Sequence, residues 1–238
     1  MINYDDMILL NKILIWGIPT ILAITLHEAA HGFVALRFGD QTAYILGRVT
    51  LNPLKHIDPI GTILIPGFLI LSGVPFIFGY AKPVPVNFRR LHPMRLGMIS
   101  VALAGPLTNV FLAIFSVYLF YLLSYIPETW HADLVQMITH SVLINGILAI
   151  FNMIPIPPLD GGRVAVGILP EPFSSFLSRL EPYGMLIIFL LISFPFLTET
   201  LFGVSISLLS VMIYPPLAFF LSLLEGISGI PLSTLVNF

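Results

Sequence analysis

Hydrophobic positions in this chain gather into long unbroken runs, with polar positions confined to the joints between them. The first run covers residues 11–37 and is broken at Gly39-Asp40. A second covers about 97–126 and a third about 134–157, the latter closing in Pro155-Ile156-Pro157-Pro158. Two more follow at about 183–200 and 204–225, and Pro215-Pro216 is expected to kink the last. Each approaches or exceeds the roughly 20 apolar residues that a membrane-crossing helix needs. Residues 60–80 are also apolar, but Gly61, Pro66, Gly67, Gly73 and Pro75 interrupt them. That suits a re-entrant or interfacial segment better than a straight span. Residues 43–51 have strand-like composition. Residues 82–88, Lys-Pro-Val-Pro-Val-Asn-Phe, read as extended, because alternate prolines fit only an edge strand. The pattern predicts an all-α polytopic membrane protein with about five transmembrane helices, a re-entrant segment and a small membrane-associated β element. It is expected to form one domain over 1–238, with its core at about 11–165 and accessory helices at about 183–225.

Composition sharpens this picture. The chain has 238 residues, 57% of them hydrophobic and 9% charged, and its mean hydropathy is +0.99. A soluble domain carries about 25% charged residues, so a lipid bilayer is the expected surrounding. The net charge of −2 gives no case for nucleic acid as a partner. With no cysteine there is no disulfide framework, thiolate ligand or cysteine nucleophile, and any metal must be held by histidine and carboxylate. Met1-Ile-Asn-Tyr-Asp-Asp6 lacks the basic start of a signal peptide, so the first span is expected to be retained.

That first span carries His27-Glu28-Ala29-Ala30-His31. Helix positions four apart share a face, so the two imidazoles can reach one metal ion. Glu28, one residue round, can touch a metal-activated water without binding the metal. This is the H-E-x-x-H pattern of zinc hydrolases, with Glu28 as general base. The alternative is an ordinary helix with two histidines. Against it stands the membrane setting, where an ionisable side chain costs on the order of 3 kcal/mol and marks a functional site by default.

A catalytic zinc takes a third protein ligand. His56, His92, His131, His140 and the acids are candidates. Asp160 is favoured by its place at a helix end beside Gly161-Gly162, although Asp-Gly is also a common turn pair. Charge supports the pairing. Seven of the ten Lys and Arg, from Arg37 to Arg95, lie between the first and second spans, and Arg163 and Arg179 follow the third. Basic loops favour the cytoplasmic side. They share that side only if 60–80 does not cross, and His27, His31 and Asp160 then meet near one face. Asn109 is expected to hydrogen-bond between helices, with Ala104 and Gly105 allowing close approach. His140 is expected to pack, and His56, His92 and His131 are given no role.

His27-Glu-Ala-Ala-His31, Gly105-Pro-Leu-Thr-Asn109 and Asn152-Met-Ile-Pro-Ile-Pro-Pro-Leu-Asp160-Gly-Gly resemble the three hallmark segments of the site-2 protease family of intramembrane zinc metalloproteases. Residues 82–87 resemble a segment that compact prokaryotic members carry between the two halves of the site. The resemblance covers roughly residues 15–165. It implies His27, His31 and Asp160 as ligands of one Zn2+, Glu28 as general base, and Asn152 as a polar group facing the site. For Asn152 the alternative is a helix-end amide bonding to backbone freed by Pro155. The resemblance further implies peptide-bond hydrolysis in or near transmembrane segments of protein substrates, in the plasma membrane of a prokaryote. Stretches 43–51 and 83–88 are then expected to capture the unwound substrate by strand addition. No PDZ or CBS domain is expected. The rival readings are a zinc-binding membrane protein without peptidase activity, such as a metal carrier or degenerate scaffold, and a membrane hydrolase of a non-peptide substrate.

Overall fold

The computed structural model describes residues 4–73 and 79–232. Helix α1 spans Tyr4–Arg37, α4 Met94–Leu119, α5 His131–Asn152, α8 Gly184–Phe202 and α9 Leu208–Ser228. Shorter helices lie between them: α2 Thr42–Ile45, α3 Ile65–Leu71, α6 Asp160–Ile168 and α7 Phe173–Ser178. Among the described residues, five helices are long and apolar enough to cross a membrane, as the hydrophobic runs predict. The third span ends earlier than expected, at Asn152. Pro155, Pro157 and Pro158 follow it, and proline nitrogens have no hydrogen to donate to a continuing helix. Gly203 and Gly229 close α8 and α9 at φ of 69° and 68°, a conformation that glycine adopts without strain. Helix α9 continues through Pro215 and Pro216.

Helix α4 is the hub, packing against α1, α5 and α6. Its buried stripe is Gly97, Val101, Ala104, Gly105, Asn109 and Ala113, a helical face made mostly of small residues. Small side chains let helix backbones approach closely where water supplies no hydrophobic drive. The opposite face presents exposed Leu107, Phe111 and Phe115, as a lipid-facing surface should. At one end Ala113, Val117 and Val142 close against Leu217, Leu221 and Leu224 of α9. A second apolar cluster joins Ala35, Leu91 and Val101, and a third joins Ile154, Leu159 and Ile188. These two clusters fix the ends of α1 and α6 that carry the site.

Two expectations are corrected. There is no β element among the described residues. In the stretch 43–51, Thr42–Ile45 is a turn of helix, because Asp40 Oδ1 accepts both the Thr42 amide (3.0 Å) and its hydroxyl (2.5 Å). This local aspartate turn overrides strand propensity. Residues 81–87 are extended but unpaired as a strand, since alternate prolines remove ladder donors. The re-entrant segment is also not supported. Pro59–Leu64 forms a π-helical stretch that leads into α3, started by Asp58, whose carboxylate accepts the Ile60 and Gly61 amides (3.0 and 2.7 Å). At about 1.5 Å per residue this arm reaches only about 20 Å. Tyr80 N donates to Gly61 O at 3.0 Å, which holds residue 80 beside the first turn of this arm. Residues 74–78 of the same stretch lie outside the described residues.

Candidate metal centre

His27 and His31 stand one helical turn apart on α1, both buried against α4. Their rings meet edge to face with centroids 4.7 Å apart. Each Nδ1 is occupied. That of His27 lies 2.5 Å from Asn109 Oδ1, and that of His31 lies 2.7 Å from the Val101 carbonyl oxygen. Both partners accept, so each Nδ1 carries a hydrogen, which leaves Nε2 as the nitrogen that can offer a lone pair to a metal. Asp160, the first residue of α6 and 5% exposed, places Oδ2 at 3.2 Å from His27 Nε2 and 3.4 Å from His31 Nε2. At these distances Oδ2 still makes no hydrogen bond.

Three atoms that can each ligate a metal therefore converge on one point, all within 4.8 Å of one another. Such a cluster is repulsive alone and favourable around a cation. Two imidazoles and one carboxylate make a donor set that zinc accepts. The wall opposite is Gly105, where an added Cβ would lie 2.5 Å from both Nε2 atoms. The glycine thus keeps open the space that the donors face.

The loop before α6 sets the Asp160 position. A Cβ on Gly161 would strike the Met153 carbonyl, and one on Gly162 would strike the Ile156–Pro157 backbone. The two glycines let α6 pack directly on the chain leaving α5. The Asp-Gly pair that sequence alone leaves open as a turn thus starts a helix whose first carboxylate faces the imidazoles.

Glu28 is half-buried and accepts the Val84 backbone N–H at Oε2, 2.7 Å away. It borders two cavities. One, of about 680 Å³, is lined by His27, His31, Asp160, Asn152, Val84 and Arg163. The other, of about 470 Å³, shares His27, Glu28 and Asn152 and runs between α1, α5 and α8 past Ile21, Leu148 and Ile188. Asn152 donates Nδ2 to the Leu148 carbonyl at 3.0 Å and lines both cavities.

The remaining histidines lie elsewhere. His140 stacks on Trp16 at 3.5 Å between centroids, His131 bonds the Ile126 carbonyl, and His56 bonds the Thr50 carbonyl at the edge of the second cavity. Sequence reasoning expected an interhelical bond from Asn109 but missed that its partner is His27. It missed Asn145 and the Val84 amide altogether. An asparagine inside the third apolar run was the available signal for Asn145. A backbone amide leaves no such signal.

Residues 124–194 match the profile of Peptidase family M50, a stretch that includes Asn152 and Asp160. The chain is 38% identical over 182 residues to "Putative zinc metalloprotease YwhC" of Bacillus subtilis, covering 75% of this chain and 80% of that protein. It is 31% identical over 187 residues to "Putative zinc metalloprotease Rip2" of Mycolicibacterium smegmatis, covering 76% of this chain and 68% of that protein. No solved structure matches the chain.

Proposed function

Because the chain belongs to peptidase family M50, the site-2 protease family, we propose that it is an intramembrane zinc endopeptidase cutting peptide bonds in or near transmembrane segments of protein substrates. The observation that carries this reading is the convergence of His27 Nε2, His31 Nε2 and Asp160 Oδ2 beside Glu28, within a bundle of membrane-length helices. His27, His31 and Asp160 would hold one zinc ion. Such an ion supplies Lewis-acid polarisation of a water and of the scissile carbonyl.

The chain's own residues do the rest. Glu28 takes a proton from the water attacking the carbonyl carbon and returns it to the leaving amine nitrogen. Its Oε2 is steadied by the Val84 amide, so Oε1 is the oxygen that exchanges protons. Asn152, at the junction of the two cavities, donates a hydrogen bond to the carbonyl oxygen as that atom gains charge. The apolar cavity between α1, α5 and α8 fits a hydrophobic substrate segment, and the walls around His27 limit bulk water. Residues 11–165 form the catalytic core, with α8 and α9 as accessory helices, in the plasma membrane of a prokaryotic cell.

The test is reconstitution of the purified chain with a panel of single-span proteins, scoring cleavage with and without a zinc chelator. Cleavage should need zinc. Glu28→Gln should retain zinc but lose about 10²–10⁴-fold in rate, the usual worth of a general acid–base group. Chelator-resistant cleavage, or full activity in Glu28→Gln, overturns the proposal.

A further inference from the structure

The His27 side of the site is backed by a chain of buried amides that runs away from the metal position into the bundle. Asn109, fully buried on α4, sets Oδ1 at 2.5 Å from His27 Nδ1. Its Nδ2 donates to Asn145 Oδ1 on α5 at 2.8 Å and to the Ala23 carbonyl on α1 at 3.3 Å. Asn145, 1% exposed, donates its own Nδ2 to the Ser141 carbonyl at 2.8 Å. The Ser141 hydroxyl pairs with that of Ser116 at 2.7 Å.

The direction of this chain is forced. Backbone carbonyls only accept, so the Ser141 carbonyl must face the NH2 end of Asn145, which turns Oδ1 towards Asn109. The Ala23 carbonyl accepts from the same NH2 group over a longer 3.3 Å, a weaker support for that orientation than Asn145 gives. Neither amide can flip without setting oxygen against oxygen inside an apolar bundle, where an unpaired polar group is costly. Asn109 therefore offers His27 an acceptor and nothing else. Nδ1 must carry a hydrogen, so Nε2 is the nitrogen left to ligate a metal where Asp160 and His31 converge. His31 reaches the same state through the Val101 backbone, which no side chain can alter. His27 alone depends on side chains, and the first of them hangs on a second.

We propose that Asn109 and Asn145 are positioning residues of the metal centre, acting as a relay of amides across three helices that selects the tautomer and ring orientation of His27. The relay starts at the Ser141 backbone carbonyl and ends at the imidazole. Neither asparagine touches the reacting atoms. The proposal rests on the zinc reading given above, and its test separates the two.

Zinc affinity of the purified full chain in detergent is measured by competition with a chelator, with thermal unfolding as the folding control. Asn109→Leu, close in volume, removes the acceptor and should weaken zinc about 10–100-fold, the range for partners that orient a ligand. Asn145→Leu, which leaves Asn109 in place but frees it to turn, should weaken zinc in the same direction by less. Asn145→Asp, as a neutral buried acid, keeps an oxygen towards Asn109 and a hydroxyl towards Ser141, and should restore wild-type affinity. In the metal-stripped protein, nitrogen-15 shifts of His27 should show the Nδ1–H tautomer, becoming a mixture in Asn145→Leu. A merely structural role would move the unfolding temperature without moving the tautomer. Wild-type zinc affinity in both leucine variants, or an unchanged tautomer in Asn145→Leu, overturns the relay and leaves the zinc reading standing. A wild-type chain that takes up no zinc overturns the zinc reading, and the relay falls with it. Should Asn109→Leu fail to fold, the two Asn145 variants carry the same decision.

Discussion

The Glu28 carboxylate accepts the backbone N–H of Val84 at 2.7 Å, tying the proposed base on α1 to a segment 56 positions further along the chain. A hydrogen bond to a charged group contributes roughly 1.5–3 kcal/mol, so losing it should misplace the base without touching the metal ligands. Val84→Pro deletes that one hydrogen. Cleavage of a reconstituted substrate should fall about 10–100-fold while zinc content stays at the wild-type level. Val84→Ala keeps the N–H and most of the activity, and equal losses in the two variants would show that the amide is not what matters.

Zinc should stabilise the folded chain through Asp160. A ligand at 100 times its dissociation constant adds about 2.7 kcal/mol to stability, which for a chain of this size raises the unfolding temperature by about 5–10 °C. Asp160→Ala removes the only carboxylate of the cluster and should abolish that rise. Thermal unfolding of both proteins across a zinc titration provides the check.

Gly105 makes a sharper test of the same space. In Gly105→Ala the new methyl would lie 2.5 Å from both Nε2 atoms, where zinc would be held. Overpacking of this kind costs about 1–3 kcal/mol, and zinc affinity should fall with it. Gly17→Ala, in the same membrane and with nothing within 4 Å of the added carbon, should leave zinc binding unchanged. Chelator competition on the pair measures the contrast.

Gly162→Ala is expected to do worse than Gly105→Ala. Its methyl would meet the Ile156–Pro157 backbone, which cannot rotate away as an imidazole can. The loop carrying Asp160 must shift, so both zinc affinity and unfolding temperature should drop. A variant that lost zinc with its unfolding temperature intact would mean that the loop moves more easily than its packing implies.

Much of this was legible in the sequence because the bilayer simplifies the code. A span needs about 20 apolar residues, so the five long helices stand out as runs, and any ionisable group inside one is conspicuous. His27, Glu28 and His31 were readable for that reason, since a turn of helix fixes their shared face. Asp160 needed more than spacing, because its approach to the imidazoles depends on Gly161 and Gly162 packing against backbone. The stretch 43–51 was misread because strand composition is a weak preference that one turn-forming aspartate, Asp40, reverses. Residues 82–88 were read as part of a sheet, whereas 81–87 pair with no strand and Phe88 opens a short helical turn. The Asn109–Asn145 contact lay hidden because their pairing joins α4 to α5 at a depth that only the packed bundle defines.

The ribbon that meets Glu28 alternates Pro83, Val84, Pro85 and Val86. Only every second nitrogen along it carries a hydrogen. Arg48 pins its start by donating to the Lys82 carbonyl at 2.7 Å and the Pro83 carbonyl at 3.3 Å. Sliding the ribbon by one residue would set a proline ring against the glutamate, and only a shift of two, about 6.6 Å, would offer a donor again. The prolines thus leave Val84 as a donor with none on either side of it, so its contact with Glu28 fixes the register of this segment.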